Sequence, residues 1–396
     1  MVAAILLATL TPNPSAESGG WVSCFVCGDR GVADLLVNII LFVPFGAALG
    51  AGTMAWWRIW IAGTAFSAAL EYAQLFIPGR DSSLADVCTN SLGALVGGLV
   101  VRLFLRACRR LQPPSLLEAG AASMFAVATI TATGLLLRPA FPPTTYWGQW
   151  TPALGHLAWY HGRVLRASLG DVFVPPTQLS ASSRVRALLE AGAPLNVLAL
   201  AGPPVPKLAS LFSIADDQSA EIVFLGPDRG AWVFRSRTRA AAWDLDQPDL
   251  RVRGPVEGVR VGDTLDISVR HREHDVCVTV GRATRCGLGF TAGRGWAMLE
   301  YPRSWPDWLR ALLDAVWLLG LWAPAGFYGW SRWGRLIVIG CAIGALGVLA
   351  PALGLLPTPP REWIGAAIGL VIGAASRAAF FRPPTGVAGV QQGALG

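Results

Sequence analysis

The chain has 396 residues, 53% of them hydrophobic and only 14% charged, with a mean hydropathy of +0.47. Soluble globular proteins carry about 25% charged residues, so this composition excludes a disordered chain and argues against an all-soluble one. The net charge of +7 rests on arginine, Lys207 being the sole lysine; no basic run interleaved with aromatics appears, and nucleic acid is not an expected partner.

The charges segregate. Residues 139–305 hold 18 Lys+Arg and 15 Asp+Glu of the 32 and 25 in the whole chain. The reading is of apolar flanks that live in a lipid bilayer and a water-exposed insert between them. In chain order, residues 1–11 are apolar but cover only roughly half a bilayer core. They lack a basic n-region, so a signal peptide fits poorly, and they read as the end of a span whose beginning is missing. Further spans are expected at 35–57, 59–78, 87–101, 119–137, 315–330, 336–356 and 363–376. All are rich in Gly and Ala, as close-packing membrane helices are. The expected division is a helical membrane domain at 1–110, a helix leading outward at 111–138, the insert at 139–305 and C-terminal membrane helices at 306–396.

Arginine placement orients the spans. Arg58, Arg102, Arg106, Arg109, Arg110, Arg332, Arg335, Arg377 and Arg382 fall on one side, and only Arg30, Arg80 and Arg361 in short segments of the other. The first side is expected to be cytoplasmic, which puts 139–305 outside the cytoplasm. The cysteines agree. In Val276-Cys-Val-Thr-Val-Gly-Arg-Ala-Thr-Arg-Cys286, a two-residue turn at Gly281-Arg282 pairs Val280 with Ala283 and sets Cys277 facing Cys286. A disulfide is expected there. Cys24 and Cys27 form a tight disulfide, a metal half-site or an incidental pair; no second Cys or His pair completes a zinc site, and no metal is assigned.

Ionisable groups inside a bilayer are costly, and they are functional or paired. Asp34 and Asn38 are spaced i, i+4 at the outer start of one span. Ser67, Glu71 and Gln74 share a face near the outer end of the next, with Glu71 about 10 Å below a helix end at Pro78. Arg80 and Asp81 sit in the following turn. Asp86 and Asn90 open the next helix, and Gly93 and Gly97 continue that stripe as a small-xxx-small pair. Two readings stand. The groups lock a small bundle by interhelical hydrogen bonds, or they line an outward-facing polar pocket for a lipid head group or a lipid-linked glycan. Arg80 is the cation placed to fork onto a carboxylate.

The string Asp34-x-x-x-Asn38-Ile-Ile-Leu-Phe42-Val-Pro44-Phe-Gly46, then Ser67-x-x-x-Glu71-x-x-Gln74, Pro78-Gly-Arg80 and Asp86-x-x-x-Asn90-x-x-Gly93-x-x-x-Gly97, resembles the VanZ-like family. The resemblance covers about residues 1–110. It implies a protein of the bacterial inner (cytoplasmic) membrane, associated with the envelope and linked to resistance to teicoplanin-type glycopeptides or to envelope polysaccharide handling. The short first helix departs from the family's four-span unit.

Residues 180–300 read as short strands between Gly, Pro, Asp and Arg turns: 196–201, 209–214, 222–225, 231–236, 264–270 and 276–280. The order of motifs resembles a concanavalin A-like, laminin-G-type jelly roll, which implies glycan or protein binding. The expected fold is thus an α-helical polytopic membrane protein with an inserted extracytoplasmic all-β jelly-roll sandwich. Trp232 and Trp243 are candidates to stack on sugars, or core residues. Asp216-Asp217 is a candidate calcium loop, or a solvated one; no other cofactor is expected. His271 and His274 flank a turn, as metal ligands or as exposed polar residues. Trp305 and Trp308 fit an interfacial belt. Asp314 is read as a local helix pair with Arg310, and Pro324 and Pro351 as kinks.

No nucleophile elbow, phosphate loop or metalloprotease helix is present, and no inverted repeat marks a transporter. Catalysis would need the membrane cluster, with Glu71 or Asp86 as general base and Arg80 steadying a phosphate. The favoured expectation is a binder of an envelope lipid or glycan; the rival is an intramembrane enzyme that cleaves or transfers a lipid-linked group. The sequence sets no oligomeric state.

Overall fold

The computed structural model describes residues 2–11, 21–22, 25–26, 30–52, 54–78, 80, 82–109, 115–154, 157–253, 259–272 and 275–380. Cys24, Cys27, Asp81 and His274 lie outside the described residues, and so do Arg110 and Arg382.

The chain begins with a helical unit of α1 (Val2–Leu10), α2 (Gly31–Ala51), α3 (Trp56–Gln74) and α4 (Leu84–Arg109). Two-residue strands β1 (Trp21–Val22) and β2 (Ser82–Ser83) pair in parallel between them. Helices α2 and α4 meet backbone to backbone. A Cβ at Gly93 would collide with the Ile39 carbonyl, one at Gly97 with the Val43 carbonyl, and one at Gly46 with Ala94. Van der Waals contact replaces the hydrophobic effect as the glue between helices in lipid, and small residues permit that approach. Pro44 sits inside α2. The third helix stops at Gln74, short of the expected Pro78. Pro78 has no N–H and disfavours helical geometry at Ile77, so Glu71 lies about one turn from the helix end rather than about 10 Å below it.

Helix α5 (Leu116–Leu136) opens with a capping box: Glu118 N donates to Ser115 Oγ at 3.2 Å, and Ser115 N to Glu118 Oε2 at 2.9 Å. After the insert come α7 (Asp307–Tyr328), α8 (Arg332–Ile343), a π-helical segment Gly344–Leu349, α9 (Ala350–Ala352) and α10 (Pro360–Phe380). Pro324 lies within α7, and Pro351 follows the π segment. Among the described residues, five helices are long and apolar enough to cross a membrane: Gly31–Ala51, Leu84–Arg106, Leu116–Leu136, Asp307–Tyr328 and Arg332–Ala352. With α3 (19 residues) and α10 (21 residues) they form two helical bundles. Helices α7 and α10 repeat the close approach of α2 and α4: a Cβ on Gly365, Gly369 or Gly373 would collide with the carbonyl of Ala315, Leu319 or Ala323.

The insert holds two antiparallel sheets. One contains β3 (Tyr146–Trp150), β7 (Phe212–Asp216), β8 (Glu221–Asp228), β9 (Ala231–Ser236) and β10 (Leu250–Arg253), in the order β10-β9-β8-β7-β3. The other contains β4 (Arg163–Leu169), β5 (Val172–Phe173), β6 (Leu195–Leu200), β11 (Thr264–His271), β12 (Val276–Val280) and β13 (Ala283–Leu288), in the order β13-β12-β11-β6-β4-β5. Inward residues such as Phe212, Trp232, Leu265, Ile267 and Val269 meet in one core. Along β11, Leu265, Ile267 and Val269 are buried while Asp266 is exposed, the period-two alternation of a one-sided strand. The stretch expected to be all strands also contains a helix, α6 (Ser182–Glu190). Val185 is its buried anchor, and Arg186 pairs with Glu190 one turn on at 2.8 Å, so a short amphipathic helix outcompetes a strand there.

At the β12–β13 hairpin Gly281 adopts φ +58, and Val280 pairs with Ala283. The register shifts between Val276 and Val278, and the intervening Cys277 forms the expected disulfide with Cys286 across a Cα–Cα distance of 4.0 Å. The insert is tied to the first bundle at the start of α2. Ala33 N donates to Asp244 O at 3.2 Å, and Arg30 reaches Asp246 at 3.4 Å and Glu300 at 2.5 Å.

Candidate functional site

The polar residues of the first bundle gather at its insert-side end, in three linked groups. Asp34 and Asn38 stand in the first two turns of α2, and Asp86 in the first turn of α4. Asn38 donates a side-chain hydrogen bond to Asp86, and the charge of Asp34 acts on Asp86. Arg30 approaches Asp34 at 3.7 Å; the Asp34 side chain is 59% exposed. Glu71 is buried at the end of α3, where Ser83 N donates to its Oε2 at 2.8 Å and Ser82 Oγ to its main-chain oxygen at 2.7 Å. The same carboxylate thereby caps the turn that starts α4, and the charge of Asp86 acts on it.

Deeper in the bundle, Asn90 Nδ2 donates to Ser67 Oγ at 2.9 Å. Gln74 Nε2 donates to the Thr9 carbonyl at 3.0 Å, which ties α3 to the end of α1. The oxygens of both amides, Asn90 Oδ1 and Gln74 Oε1, are buried without a hydrogen-bond partner. A buried acceptor left unmade costs about 1–3 kcal/mol, so each calls for a donor. Arg80 Nε donates to the Thr11 carbonyl at 2.9 Å. The expected cluster is therefore assembled from Asp34, Asn38, Asp86 and Glu71 near the helix ends, with Ser67 and Asn90 beneath, Gln74 at the last residue of α3 beyond Glu71, and Arg80 at its edge on the α1 side. Gly46, Gly93 and Gly97 serve the α2–α4 contact that sets Asp34 and Asp86 side by side, whereas Pro44, expected to join that packing, is exposed on α2.

The reading of Asp314 as a local pair with Arg310 is overturned. Arg310 turns to Asp307 instead. Asp314, fully buried, accepts from Trp296 Nε1 at 2.8 Å and Arg294 Nη2 at 2.9 Å, with Arg361 at 3.8 Å. Glu362, also fully buried at the start of α10, accepts from Gly293 N at 2.8 Å and from Thr291 Oγ1. Apart from Arg361, these donors come from one 3-10 stretch of the insert, Ala292–Met298, and the residue before it. Glu362, Arg294 and the links from Arg30 to Asp246 and Glu300 were not read from the sequence. The signal for Glu362 was there: an acid opening an otherwise apolar helix.

In the insert, Trp232 is 2% exposed and belongs to the core rather than to a sugar-stacking surface, whereas Trp243 is 66% exposed. Asp216 is engaged by its own turn: Gln218 N and Ala220 N donate to its Oδ1 at 3.0 and 2.8 Å. His271 closes β11 with its ring edge-on to Phe234 at 6.0 Å, and burial lowers its pKa. No group of three or more His, Cys, Asp or Glu side chains among the described residues is placed to hold a metal ion. A chain of ion pairs runs through the first sheet: Arg235 bridges Glu221 at 2.8 Å and Asp249 at 2.7 Å, and Arg251 bridges Asp249 at 3.5 Å and Asp228. Burial alone would push the Asp228 carboxyl up, yet hydrogen bonds from Arg229 and Arg251 hold it below the usual carboxylate value. Arg303 adds contacts to Asp246 at 3.5 Å and Asp249 at 3.6 Å, so the network ends beside Arg30 at the mouth of the first bundle.

The VanZ/LLP1 family model matches residues 6–105, which span α1 to α4 and every residue of the polar cluster. A VanZ-like domain therefore occupies the first quarter of the chain. No curated protein and no solved structure matches the chain.

Proposed function

We propose that this chain is a multi-pass protein of the bacterial inner membrane whose VanZ-like bundle binds the polar head of an envelope lipid or lipid-linked glycan. The site is formed by Asp34, Asn38, Glu71, Asp86 and the unpartnered amide oxygens of Gln74 and Asn90. The observation that carries the proposal is the convergence of three carboxylates at one end of the bundle together with two buried amide oxygens that lack donors, Asn90 one turn below Asp86 and Gln74 one turn beyond Glu71. A buried acceptor without a donor is costly, which favours a site completed by a ligand over a purely structural lock. Positive-inside placement of arginine puts this end, and the insert, outside the cytoplasm. The insert, whose sequence motifs resemble a concanavalin A-like sandwich, meets glycan or another envelope protein, and Arg30 couples it to the site. The VanZ-like domain supports a role in susceptibility to teicoplanin-type glycopeptides.

The test uses full-length protein extracted in native lipid, with bound lipid identified by native mass spectrometry and drug susceptibility measured in cells. A binder loses retained lipid in Glu71→Gln and Asp86→Asn and releases no altered lipid. The rival, an intramembrane lipid-linked transferase or hydrolase, holds its substrate in Glu71→Gln but stops turning it over. If Glu71→Ala and Arg80→Ala leave lipid retention, envelope composition and susceptibility unchanged and only lower the yield, the cluster is a structural lock and the proposal fails.

A further inference from the structure

The second bundle repeats the first. Arg30-x3-Asp34-x9-Pro44-x-Gly46 in α2 recurs in α7 as Arg310-x3-Asp314-x9-Pro324-x-Gly326, every position shifted by 280. Asp86-x6-Gly93-x3-Gly97 in α4 recurs in α10 as Glu362-x6-Gly369-x3-Gly373, shifted by 276. The packing keeps the same correspondence. Gly93 abuts the Ile39 carbonyl, and Gly369 abuts that of Leu319. Gly97 lies on Val43 O and Ala47 N, and Gly373 on Ala323 O and Phe327 N. Gly46 meets Ala94, and Gly326 meets Leu370. Each partner in the second bundle is the one the two shifts name. Helix α5 packs against α7 and α8 as α1 packs against α2 and α3. The chain thus holds two four-helix units in the same order, and the β-rich insert occupies the first inter-helix connection of the second unit.

The two units carry equivalent acid pairs in different states. In the second unit Asp314 and Glu362 are filled by the insert's residues 291–296, which present a hydroxyl (Thr291), a backbone N–H (Gly293), a guanidinium (Arg294) and an indole N–H (Trp296). All are donors, and one is a cation. In the first unit the Asp34 side chain is 59% exposed and Asp86 is partly buried. One turn inward of Asp86, Asn90 is 2% exposed and its Oδ1 has no partner; Gln74, 6% exposed, spends its amide nitrogen on Thr9 and leaves its oxygen without one. The first pair receives only the Asn38 side chain on Asp86 and Arg30 at 3.7 Å from Asp34, leaving Asp34 largely exposed and the Asn90 oxygen without a donor, where the second pair has received four donors from one segment.

We infer that the Asp34–Asp86 site takes a cationic, donor-rich group, a protonated primary amine accompanied by hydroxyl or N–H donors, in the place that residues 291–296 take at Asp314–Glu362. The inference rests on the polar-pocket reading above and narrows its ligand. An anionic phosphate is not the recognised element, because it would face the carboxylates and offer no donor to the amide oxygens. An ammonium offers three donors, and Asp34 and Asp86 stand in the first turns of their helices. Two sources bear that chemistry: the ethanolamine head of a phospholipid and an amino sugar of a glycan.

The test reconstitutes the full-length protein in nanodiscs containing either phosphatidylethanolamine or phosphatidylcholine of the same acyl chains, and quantifies retained lipid by native mass spectrometry. The two lipids share the phosphate, and only the first can donate N–H. Retention of phosphatidylethanolamine is expected to exceed that of phosphatidylcholine by on the order of ten- to a hundred-fold, the effect of one charge-assisted hydrogen bond. Asp86→Asn is expected to abolish the difference. Asp34→Asn, on an exposed side chain, reads the same site where Asp86→Asn does not fold. Displacement by free ethanolamine, or a lipid that no free amine displaces, assigns the lipid amine; displacement by glucosamine alone assigns the amino sugar. Equal retention of the two lipids overturns the inference. So does a preference for phosphatidylglycerol; where that preference depends on Asp86, the pocket stands and only its donor chemistry falls. Retention of every lipid that is indifferent to Asp34, Glu71 and Asp86 removes both the pocket and the inference.

Discussion

The two helical units place acids at corresponding positions of paired helices, yet the acids live in different surroundings. Asp314 and Glu362 are fully buried and each accepts two hydrogen bonds from the insert. Asp34 pairs with Arg30 at 3.7 Å, and most of its side chain remains exposed. The same glycine-lined contact delivers both pairs, so helix packing is not what separates them. What separates them is the occupant. Where a segment of the insert fills the acids they become a structural joint between bundle and insert; where only Asn38 and Arg30 approach them, Asp34 stays largely exposed.

Substitution at equivalent positions sharpens this contrast most. Asp314→Asn leaves Arg294 facing a neutral amide in a buried setting and is expected to cost about 3–5 kcal/mol. Asp34→Asn removes an exposed carboxylate with one long ion pair and is expected to cost under about 1 kcal/mol. Thermal unfolding of the purified full-length variants measures both. Equal losses would show that the first pair is as structural as the second.

The glycine stripes test the shared part. Gly97→Leu and Gly373→Leu each drive a side chain into a neighbouring helix backbone, where even tolerable overpacking costs about 1–3 kcal/mol. Both are expected to reduce the monodisperse yield in detergent to a similar degree. The exposed Gly320, around which no neighbour lies within 4 Å, accepts the same change. Tolerance of one stripe and not the other would break the equivalence of the two bundles.

Some of this was open to sequence reasoning and some was not. The polar spacing from Asp34 to Gly97 is compact, and acids in apolar helices stand out, so the first cluster could be named residue by residue. The Cys277–Cys286 bridge followed from a two-residue turn and the period of a strand. The second unit escaped notice because it keeps the acids, the proline and the glycines but replaces the amides: Asn38 corresponds to Leu318, and Asn90 to Ala366. The insert separates α5 from α7, and the π-helical segment Gly344–Leu349 lies in the helix that corresponds to α3. Residues 291–296 carry no periodic signal at all; their role exists only through what they touch. Helix α6 was absorbed into a run of strands because nine residues give too short a pattern to stand against its neighbours.

The insert and the bundles also differ in what holds them. The Cys277–Cys286 bridge closes a loop with a sequence separation of 9. Loop-closure entropy assigns it about 2.5 kcal/mol. Cys277→Ser with Cys286→Ser is expected to lower the unfolding midpoint of the β-rich part and to leave the helical signal of circular dichroism unchanged. A loss of helix on reduction would mean that the insert's hairpin, and not only residues 291–306, supports the second bundle.

The smallest effect expected is the one that tells the ionic network of the insert from the acids of the bundle. Asp228 is 1% exposed and bonded by Arg229 and Arg251, and its carboxyl titrates below the usual value. An acid whose folded pKa is depressed binds its proton more readily in the unfolded chain. Its stabilisation is therefore complete above the unfolded value of about 3.9 and is lost as the pH falls through the lower folded value. Stability of the insert should decline below about pH 4 in the native chain, and Asp228→Asn should flatten that decline while lowering the plateau at neutral pH. An unchanged acid limb in Asp228→Asn would move the pH dependence away from Asp228 to other groups of the insert.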